Sequence, residues 1–289
     1  MPELPEVEVV KRSLEKKIIN LIIKRVVIND EKLRYKVNKR KFTSLVGKRI
    51  KRIKRRSKFL IFKIDQNILM LTHLGMTGKF IFINRKNKKF KTSFYYNIDN
   101  KKDHKYDRVI FHFCNNQKLI YNDVRKFGFI KLYKSKEYKD ISHLKNLGPE
   151  PLSKYWNLKY FQKYILNRNR NIKSILMDQK FISGLGNIYV NEILFLSRIM
   201  PYRKIKTLKN FEIIKIVKNT KKVLKNSIKM GGSSIKDFSS DNGKMGEFQQ
   251  RFKVYGRKGE KCSNVDCTRS ILKTFITNRA TFFCKRCQK

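Results

Sequence analysis

The chain begins with Met1-Pro2-Glu3-Leu4-Pro5-Glu6, and this stretch is the one to which its other motifs are related. As ordinary structure, the stretch starts a helix. Proline suits the first turn, because its missing N–H is a donor that has no helical partner there. Glu6 and Glu8 place negative charge at the positive end of the helix dipole. Apolar residues then recur at the three- and four-residue steps of an amphipathic helix: Val7, Val10, Leu14, Ile18 and Leu21.

That interpretation leaves Pro2 and Glu3 unexplained, whereas a chemical role accounts for both. Removal of Met1 would give Pro2 a terminal secondary amine. Such an amine titrates near ~7.7–8.0, so that roughly 15% is unprotonated and nucleophilic at pH 7. It can form a charged imine with a sugar C1′, which then serves as an electron sink for elimination. Glu3 lies beside it as a proton donor or acceptor. The start therefore predicts either a plain helix or a catalytic terminus.

Length and composition describe a globular chain. Its 289 residues suggest about two domains, and 40% of them are hydrophobic, which excludes a disordered basic tail. No apolar run approaches the roughly 18 residues that span a membrane. No signal peptide precedes Pro2. We therefore expect a cytoplasmic protein.

The charge is strongly unbalanced. Lys and Arg number 70 against 22 Asp and Glu, which gives a net charge of +48. Such an excess indicates a polyanionic partner, with nucleic acid first. A genome rich in A and T would also inflate Lys, Asn and Ile together. We assign part of the excess to that drift and the remainder to phosphate affinity.

Residues 24–134 are typical of a β-sandwich or barrel, because short β-rich runs alternate with polar or Gly-bearing turns. The basic tract 48–58 falls between two of these runs and, taken alone, indicates a solvated face. Of the five cysteines, Cys114 is predicted to be buried in a strand. The predicted strands are 25–28, 59–64, 68–74, 79–83, 108–113, 119–121 and 129–133.

Two of the turns carry unusual side chains. In 73–78, His-Leu-Gly-Met-Thr-Gly, glycines flank Met76, which lies either on an exposed tip or in the core of an ordinary hairpin. In 122–128, Asn-Asp-Val-Arg-Lys-Phe-Gly, the tip carries Arg125 and Phe127. Met, Arg and Phe on two loops of a basic face are suited to wedge into a base stack.

The clearest linker is 146–153, which contains two prolines and a glycine. Helical spacing follows at about 158–168, 172–178, 187–197 and 208–229. The Gly-Leu-Gly-Asn sequence at 184–187 offers backbone N–H groups to an anion at a helix start, or simply a tight turn. The polar loop 231–252 is either a functional lid or a disordered segment.

The cysteines near the end of the chain form the strongest single motif. Cys262 and Cys267 are followed after 16 residues by Cys284 and Cys287, a spacing that suits tetrahedral zinc. Free thiols or disulfides are the alternative, and a cytosolic chain disfavours the latter. The hairpin between the pairs carries Arg279. No histidine lies at metal-ligand spacing from a cysteine, so all four histidines are expected to be structural: His73, His104, His112 and His143.

Together, these stretches resemble the formamidopyrimidine-DNA glycosylases, bacterial enzymes that remove oxidised purines. The resemblance covers nearly the whole chain in the family's order. It includes residues 1–8, where Leu4 stands in place of the glycine usual in the related endonuclease VIII group. The further matching segments are 56–60, 73–76, 123–128, 147–152, 186–189, 254–259 and the cysteine hairpin.

The resemblance implies an α+β fold with three parts. These are an N-terminal β-sandwich domain with a leading helix at 1–137, a helix–two-turn–helix domain at 147–238, and a C-terminal zinc-finger β-hairpin at 253–289. It further implies one structural zinc ion and damaged double-stranded DNA bound between the parts. The enzyme would be a monomer that works with the bacterial chromosome.

The resemblance also assigns roles to residues. Pro2 resembles the Schiff-base nucleophile, Glu3 the proton donor to the sugar, Lys58 the donor for β-elimination, and Arg279 the δ-elimination and phosphate-binding arginine. Met76, Arg125 and Phe127 resemble the residues that fill the gap left by a flipped nucleotide. The implied backbone contacts are Tyr106, Arg168, Asn187 and Tyr255, and the implied zinc ligands are Cys262, Cys267, Cys284 and Cys287.

The chain departs from the family pattern in places. Residues 105–109, Lys-Tyr-Asp-Arg-Val, replace a histidine-rich version of the segment, which weakens the role of Tyr106. Val124 stands where proline is frequent, the first cysteine pair is widely spaced, and the sequence retains Met1. Two other functions stay open: a superfamily enzyme for oxidised pyrimidines, and a basic zinc-finger protein that binds nucleic acid without chemistry. Borohydride trapping on lesion duplexes separates the three.

Overall fold

A computed structural model describes residues 1–91, 103–166, 168–232 and 251–289. The chain divides into two compact units. The first contains Met1–Lys145 with Met230–Glu247, and the second contains Asn146–Lys229 with Phe248–Lys289. The predicted linker at 146–153 therefore begins the second unit. The loop predicted at 231–252 lies almost wholly outside the described residues.

The first unit is a sandwich of two antiparallel sheets, as the sequence predicted. One sheet has the strand order β1-β7-β8-β5-β6 and the other the order β2-β3-β4-β9. Among its described residues, this unit also contains the α-helices α1 (Leu4–Ile18), α2 (Lys39–Thr43) and α3 (Ser142–Lys145). The strands are β1 (Ile23–Ile28), β2 (Ile50–Arg56), β3 (Phe59–Ile64), β4 (Ile68–His73), β5 (Lys79–Ile83), β6 (Lys89–Lys91), β7 (Asp107–Phe113), β8 (Lys118–Asn122) and β9 (Phe129–Lys134).

Helix α1 joins the core of this sandwich through one apolar stripe. Val7, Val10, Leu14 and Ile18 are fully buried and belong to the same cluster as the inward-facing residues of both sheets. The helix begins at Leu4 after an extended Glu3, and its last residue is Ile18. Leu21, which the periodicity had placed on the helix, therefore lies beyond it.

Two further predictions for this unit are wrong. The basic tract at 48–58 is not a connection, because most of it forms β2, which pairs with β3 along its length. A β-bulge between Ile50 and Arg52 turns both Ile50 and Ile53 into the core, which conceals the strand's alternation in the sequence. Cys114 is exposed instead of buried, since β7 ends at Phe113 and the chain turns there.

In the described part of the second unit, α-helices precede a hairpin of two strands: α4 (Leu158–Ile165), α5 (Ile172–Leu176), α6 (Asn187–Ser197), α7 (Asn210–Lys229), β10 (Leu272–Ile276) and β11 (Arg279–Phe283). Helix α6 is buried on almost all sides and packs against α7. The 146–153 segment is tightly packed, because a Cβ on Gly148 would lie only 2.4 Å from the Phe181 carbonyl oxygen. Among the described residues, none of the helices combines the length and apolarity needed to cross a lipid bilayer.

Candidate active site and metal centre

The start of the chain, from Pro2 onward, is packed into the first unit. Pro2 is buried, and Glu3 is 3% exposed. The Glu3 N–H donates to Glu6 Oε2 at 2.9 Å, which fixes the entry into α1. Gly232 lies on the other side of Glu6: a Cβ there would be 3.2 Å from Glu6 Oε1, and its φ of +79° favours glycine. Glu6 thus contacts both the predicted catalytic start of the chain and Gly232, three residues beyond the last residue of α7.

Lys58 lies in the two-residue turn between β2 and β3 and is only 7% exposed. The preceding Ser57 has a φ of +55°. Arg55 holds this turn, because its Nη1 donates to the Ser57 carbonyl at 2.9 Å and its Nε donates to Glu8 Oε2 at 2.9 Å. Since Glu8 belongs to α1, one ion pair joins the helix that begins at Glu3 to the turn that carries Lys58.

His73, predicted to be structural, sits beside this constellation as a neutral ring. Its Nδ1 accepts the Gly75 N–H at 3.0 Å. Burial, followed by the positive charges of Lys58, Arg34, His143 and the chain terminus, lowers the pKa of His73 to about 3. The structure therefore brings three features of the first unit together: the start of the chain with its buried Pro2 and Glu3, the nearby Lys58, and an imidazole that cannot hold a proton near neutral pH.

The predicted wedge residues lie on the two loops expected for them. Met76 is half-buried, so it is neither on a fully exposed tip nor in the core. Phe127 is 46% exposed, and the Arg125 guanidinium carbon lies 4.6 Å from its ring centroid. Tyr106 is half-buried in a short 3-10 turn, with the Arg108 guanidinium 5.6 Å from its ring.

In the second unit, Asn187 and Arg279 are held on one framework. Asn187 starts α6, and its Nδ2 donates to the Ala280 carbonyl at 2.9 Å. The fully buried Lys173 donates to the same carbonyl at 3.0 Å and to Thr281 Oγ1 at 2.7 Å. Arg279, the exposed first residue of β11, is therefore fixed beside the start of α6.

The remaining predicted backbone contacts are also preordered. Tyr255 is the last of three consecutive residues whose N–H groups donate to the Glu192 carboxylate at 2.9–3.0 Å. The other two are Lys253 and Val254. Burial raises the pKa of Glu192, and these donors counteract part of that rise. Arg168 donates to the Tyr164 carbonyl at 2.8 Å, with its guanidinium 4.3 Å from the Tyr164 ring.

The four predicted cysteines converge on one point. All four sulfur atoms lie within 4.8 Å of one another. The Cys262–Cys287 and Cys267–Cys284 Sγ distances are 3.8 and 3.6 Å, too long for a disulfide. Four sulfurs at ~2.3 Å from a tetrahedral zinc would be about 3.8 Å apart. The donor set and its spacing therefore fit such an ion.

Sequence reasoning missed the residues that hold the others in place. Glu8 and Arg55 are distant in the sequence and resemble ordinary surface charges. Lys173 was hidden in the basic background. Glu192 alone gave a signal, because a carboxylate in the middle of the apolar run 188–195 needs a buried partner.

Comparison with known proteins identifies the class. A family model described as the formamidopyrimidine-DNA glycosylase N-terminal domain matches residues 1–130, and one described as the H2TH domain of the same enzymes matches residues 147–239. The chain belongs to the formamidopyrimidine-DNA glycosylase family and is thus a DNA glycosylase of base-excision repair.

Individual relatives match along the full length. A formamidopyrimidine-DNA glycosylase of Rickettsia canadensis is 39% identical over 288 residues, covering 100% of this chain and 99% of that protein. One from Roseobacter denitrificans is 37% identical over 289 residues, covering 100% of both. Among solved structures, Lactococcus lactis Fpg in complex with abasic-site DNA superposes with a TM-score of 0.84 at 33% identity, covering 99% of each chain. The same enzyme with N7-benzyl-Fapy-dG DNA also gives 0.84, at 34% identity over 100% of each.

Proposed function

We propose that this chain removes oxidised purines, 8-oxoguanine and formamidopyrimidines, from double-stranded DNA and then cleaves the strand as an AP lyase. The observation that carries the proposal is the burial of Pro2 and Glu3 at the start of the first unit, with Lys58 tied to the helix that follows them through Arg55 and Glu8. The solved structures of a relative bound to abasic-site DNA and to N7-benzyl-Fapy-dG DNA support the substrate class.

The reaction would proceed in three stages: loss of the base with formation of an imine, β-elimination and δ-elimination. After Met1 is removed, the Pro2 amine attacks C1′ of the lesion nucleotide, the glycosidic bond breaks, and the base leaves. Glu3 donates a proton to the sugar as the ring opens and the imine forms. Loss of the C2′ proton then converts the imine into an enamine, whose electron pair returns to form the C2′=C3′ double bond and the imine as the C3′–O bond breaks and the phosphate leaves. Lys58 supplies the proton for this β-elimination, and Arg279 serves the following δ-elimination.

The other proposed residues bind DNA. Asn187, with Arg279 on the same framework, would hold a phosphate at the start of α6, where the positive end of the helix dipole also favours an anion. Tyr106, Arg168 and Tyr255 would contact the backbone. The proposed parts are the catalytic sandwich at 1–137, the helical DNA-binding domain at 147–238 and the zinc finger at 253–289, which would act as a monomer in the bacterial cytoplasm.

We further propose that the four cysteines hold one zinc ion. Four thiolates close its tetrahedral coordination, so the ion would have no open position for substrate and would serve structure only. Its contribution would be to fix the hairpin of β10 and β11, on which Arg279 lies.

Borohydride trapping tests the proposal directly. The processed chain should be captured covalently on an 8-oxoguanine duplex and much less on a thymine glycol duplex. Pro2→Gly should weaken base excision strongly, and a chain that retains Met1 should not be trapped. Undiminished trapping with Met1 demonstrably attached would refute Pro2 as the nucleophile. Preferential capture on thymine glycol would instead favour an enzyme for oxidised pyrimidines.

A further inference from the structure

The two loops that carry the proposed wedge are in direct backbone contact. A Cβ on Gly75 would lie 2.4 Å from the Gly128 nitrogen, and one on Gly128 would lie 2.6 Å from the His73 carbonyl oxygen. No real Cβ tolerates such distances, so glycine at both positions is what allows the loops to meet. Met76 lies on one loop and Arg125 with Phe127 on the other.

A buried carboxylate links these loops by hydrogen bonds. Asp123 is fully buried; its Oδ1 accepts the Thr77 hydroxyl at 2.5 Å and its Oδ2 accepts the Gly128 N–H at 2.9 Å. The Thr77 hydroxyl oxygen in turn accepts the Arg125 N–H at 3.0 Å. One threonine side chain therefore connects the Asp123 carboxylate to the backbone of Arg125 itself.

A second set of charges braces the same loop from outside. Arg108 Nε donates to the Asp123 carbonyl at 2.9 Å, and its Nη1 donates to Asp30 Oδ2 at 2.9 Å. Lys126 Nζ lies 2.6 Å from the same Asp30 oxygen. The residues on both sides of Arg125 in the loop are thus held, while the Arg125 side chain itself is exposed over Phe127.

We propose that Thr77 and Asp123 are positioning residues that lock Met76, Arg125 and Phe127 into one rigid wedge before DNA arrives. The proposal rests on the proposed function, since it assumes that these three side chains fill the space of the flipped nucleotide. A preassembled wedge does not lose loop entropy when it inserts, so more of its contact energy offsets the cost of unstacking the lesion. It also fixes the backbone from which Arg125 reaches the base opposite the lesion.

The decisive variant is Thr77→Val, which keeps the branched shape but removes both the donor to Asp123 and the acceptor for the Arg125 N–H. Thr77→Ser restores the hydroxyl. Thr43→Val is the matched control, because that hydroxyl donates to the Lys39 carbonyl on the exposed face of α2, far in the sequence from the wedge. The measurement is single-turnover excision of 8-oxoguanine opposite cytosine and opposite adenine. Unfolded protein cancels in the ratio of the two rates.

Arg125 can donate to the O2 and N3 acceptors of cytosine, so the wild-type chain should act faster opposite cytosine. Thr77→Val should reduce the rate opposite cytosine by roughly ten- to a hundredfold, the scale of one hydrogen bond to a charged group. It should also bring the cytosine-to-adenine ratio close to that of Arg125→Ala. In the Arg125→Ala background, Thr77→Val should leave the ratio unchanged, because both changes act through one side chain. Thr77→Ser and Thr43→Val should retain the wild-type ratio.

A Thr77→Val enzyme with the full cytosine preference would overturn the lock, provided that the wild-type chain excises the lesion. Independent effects of Thr77→Val and Arg125→Ala on the ratio would overturn it as well. If the wild-type chain neither excises 8-oxoguanine nor is trapped on it, the proposed function fails instead. The two failures are thereby distinguishable.

Discussion

The ion pair between Glu8 and Arg55 should determine the rate of the β-elimination step proposed for Lys58. Both side chains are largely buried, with 14% and 10% exposed, and the pair is held at 2.9 Å. Replacing Glu8 by Gln removes the charge that orients Arg55 but preserves the size of the side chain. Without that charge, the Arg55 side chain is less strongly oriented toward the Ser57 carbonyl. The turn that carries Lys58 is then held less firmly.

The magnitude follows from the burial of the pair. A hydrogen bond to a charged partner contributes about 1.5–3 kcal/mol, and we expect Glu8→Gln to reduce the free energy of unfolding by about that amount. Glu15→Gln is the matched control on the same helix. It breaks a more exposed pair, with Lys11, in which 30% and 22% of the side chains are exposed, and such surface pairs contribute roughly 0.3–0.5 kcal/mol.

Two assays test this prediction. Urea denaturation gives the two stability changes, and β-elimination on a preformed abasic duplex gives the rate of the step assigned to Lys58. A misplacement worth 1.36 kcal/mol in the transition state slows a step about tenfold, so Glu8→Gln should lose roughly that factor and Glu15→Gln almost nothing. Equal stability changes in the two variants, or a Glu8→Gln enzyme with the full elimination rate, would show that the ion pair does not place Lys58.

Three further predictions concern other parts of the molecule. Glu192→Gln should reduce stability by about 1.5–3 kcal/mol and weaken DNA binding through Tyr255, whereas Glu260→Gln, on an exposed pair, should change neither in melting and binding assays. The His73 ring should not titrate between pH 5 and 8 by NMR. Because its folded pKa of about 3 lies below the unfolded value, stability should fall as pH drops below ~6.5, and His73→Gln should flatten that fall. Chelation should release about one zinc per chain and weaken DNA binding, and active enzyme without zinc would contradict the finger assignment.

The sequence predicted most of the fold because the periodicities were clean. The strands 59–64 and 79–83 and the helix 187–197 match the structure at both ends. The strand at 50–56 was missed for a physical reason. Its outward positions are basic, and its bulge shifts the apolar residues out of simple alternation. Arg55 is largely buried because it forms an ion pair with Glu8, a partner that local spacing does not reveal.

The candidate site was predictable where a residue type is chemically rare at its position. A proline and a glutamate at the terminus and two pairs of cysteines carry their meaning in the sequence itself. Residues that act by holding others do not. Thr77 is an unremarkable threonine until its hydroxyl is seen between Asp123 and the Arg125 N–H, and such partners, 46 or more residues apart, cannot be inferred from local spacing.

Carboxylates locate the working parts of this chain better than its many cations do. With 70 basic residues against 22 acidic ones, one more lysine carries little information. A buried carboxylate, by contrast, is costly unless several donors satisfy it, so a sequence keeps one where the structure depends on it. Among the described residues, those buried are Glu3, Glu6, Asp107, Asp123 and Glu192. Each lies in, or directly holds, a segment assigned a role: the terminus, the segment of Tyr106, the wedge and the segment of Tyr255. In a strongly basic nucleic-acid enzyme, the few buried acids are therefore the residues to examine first.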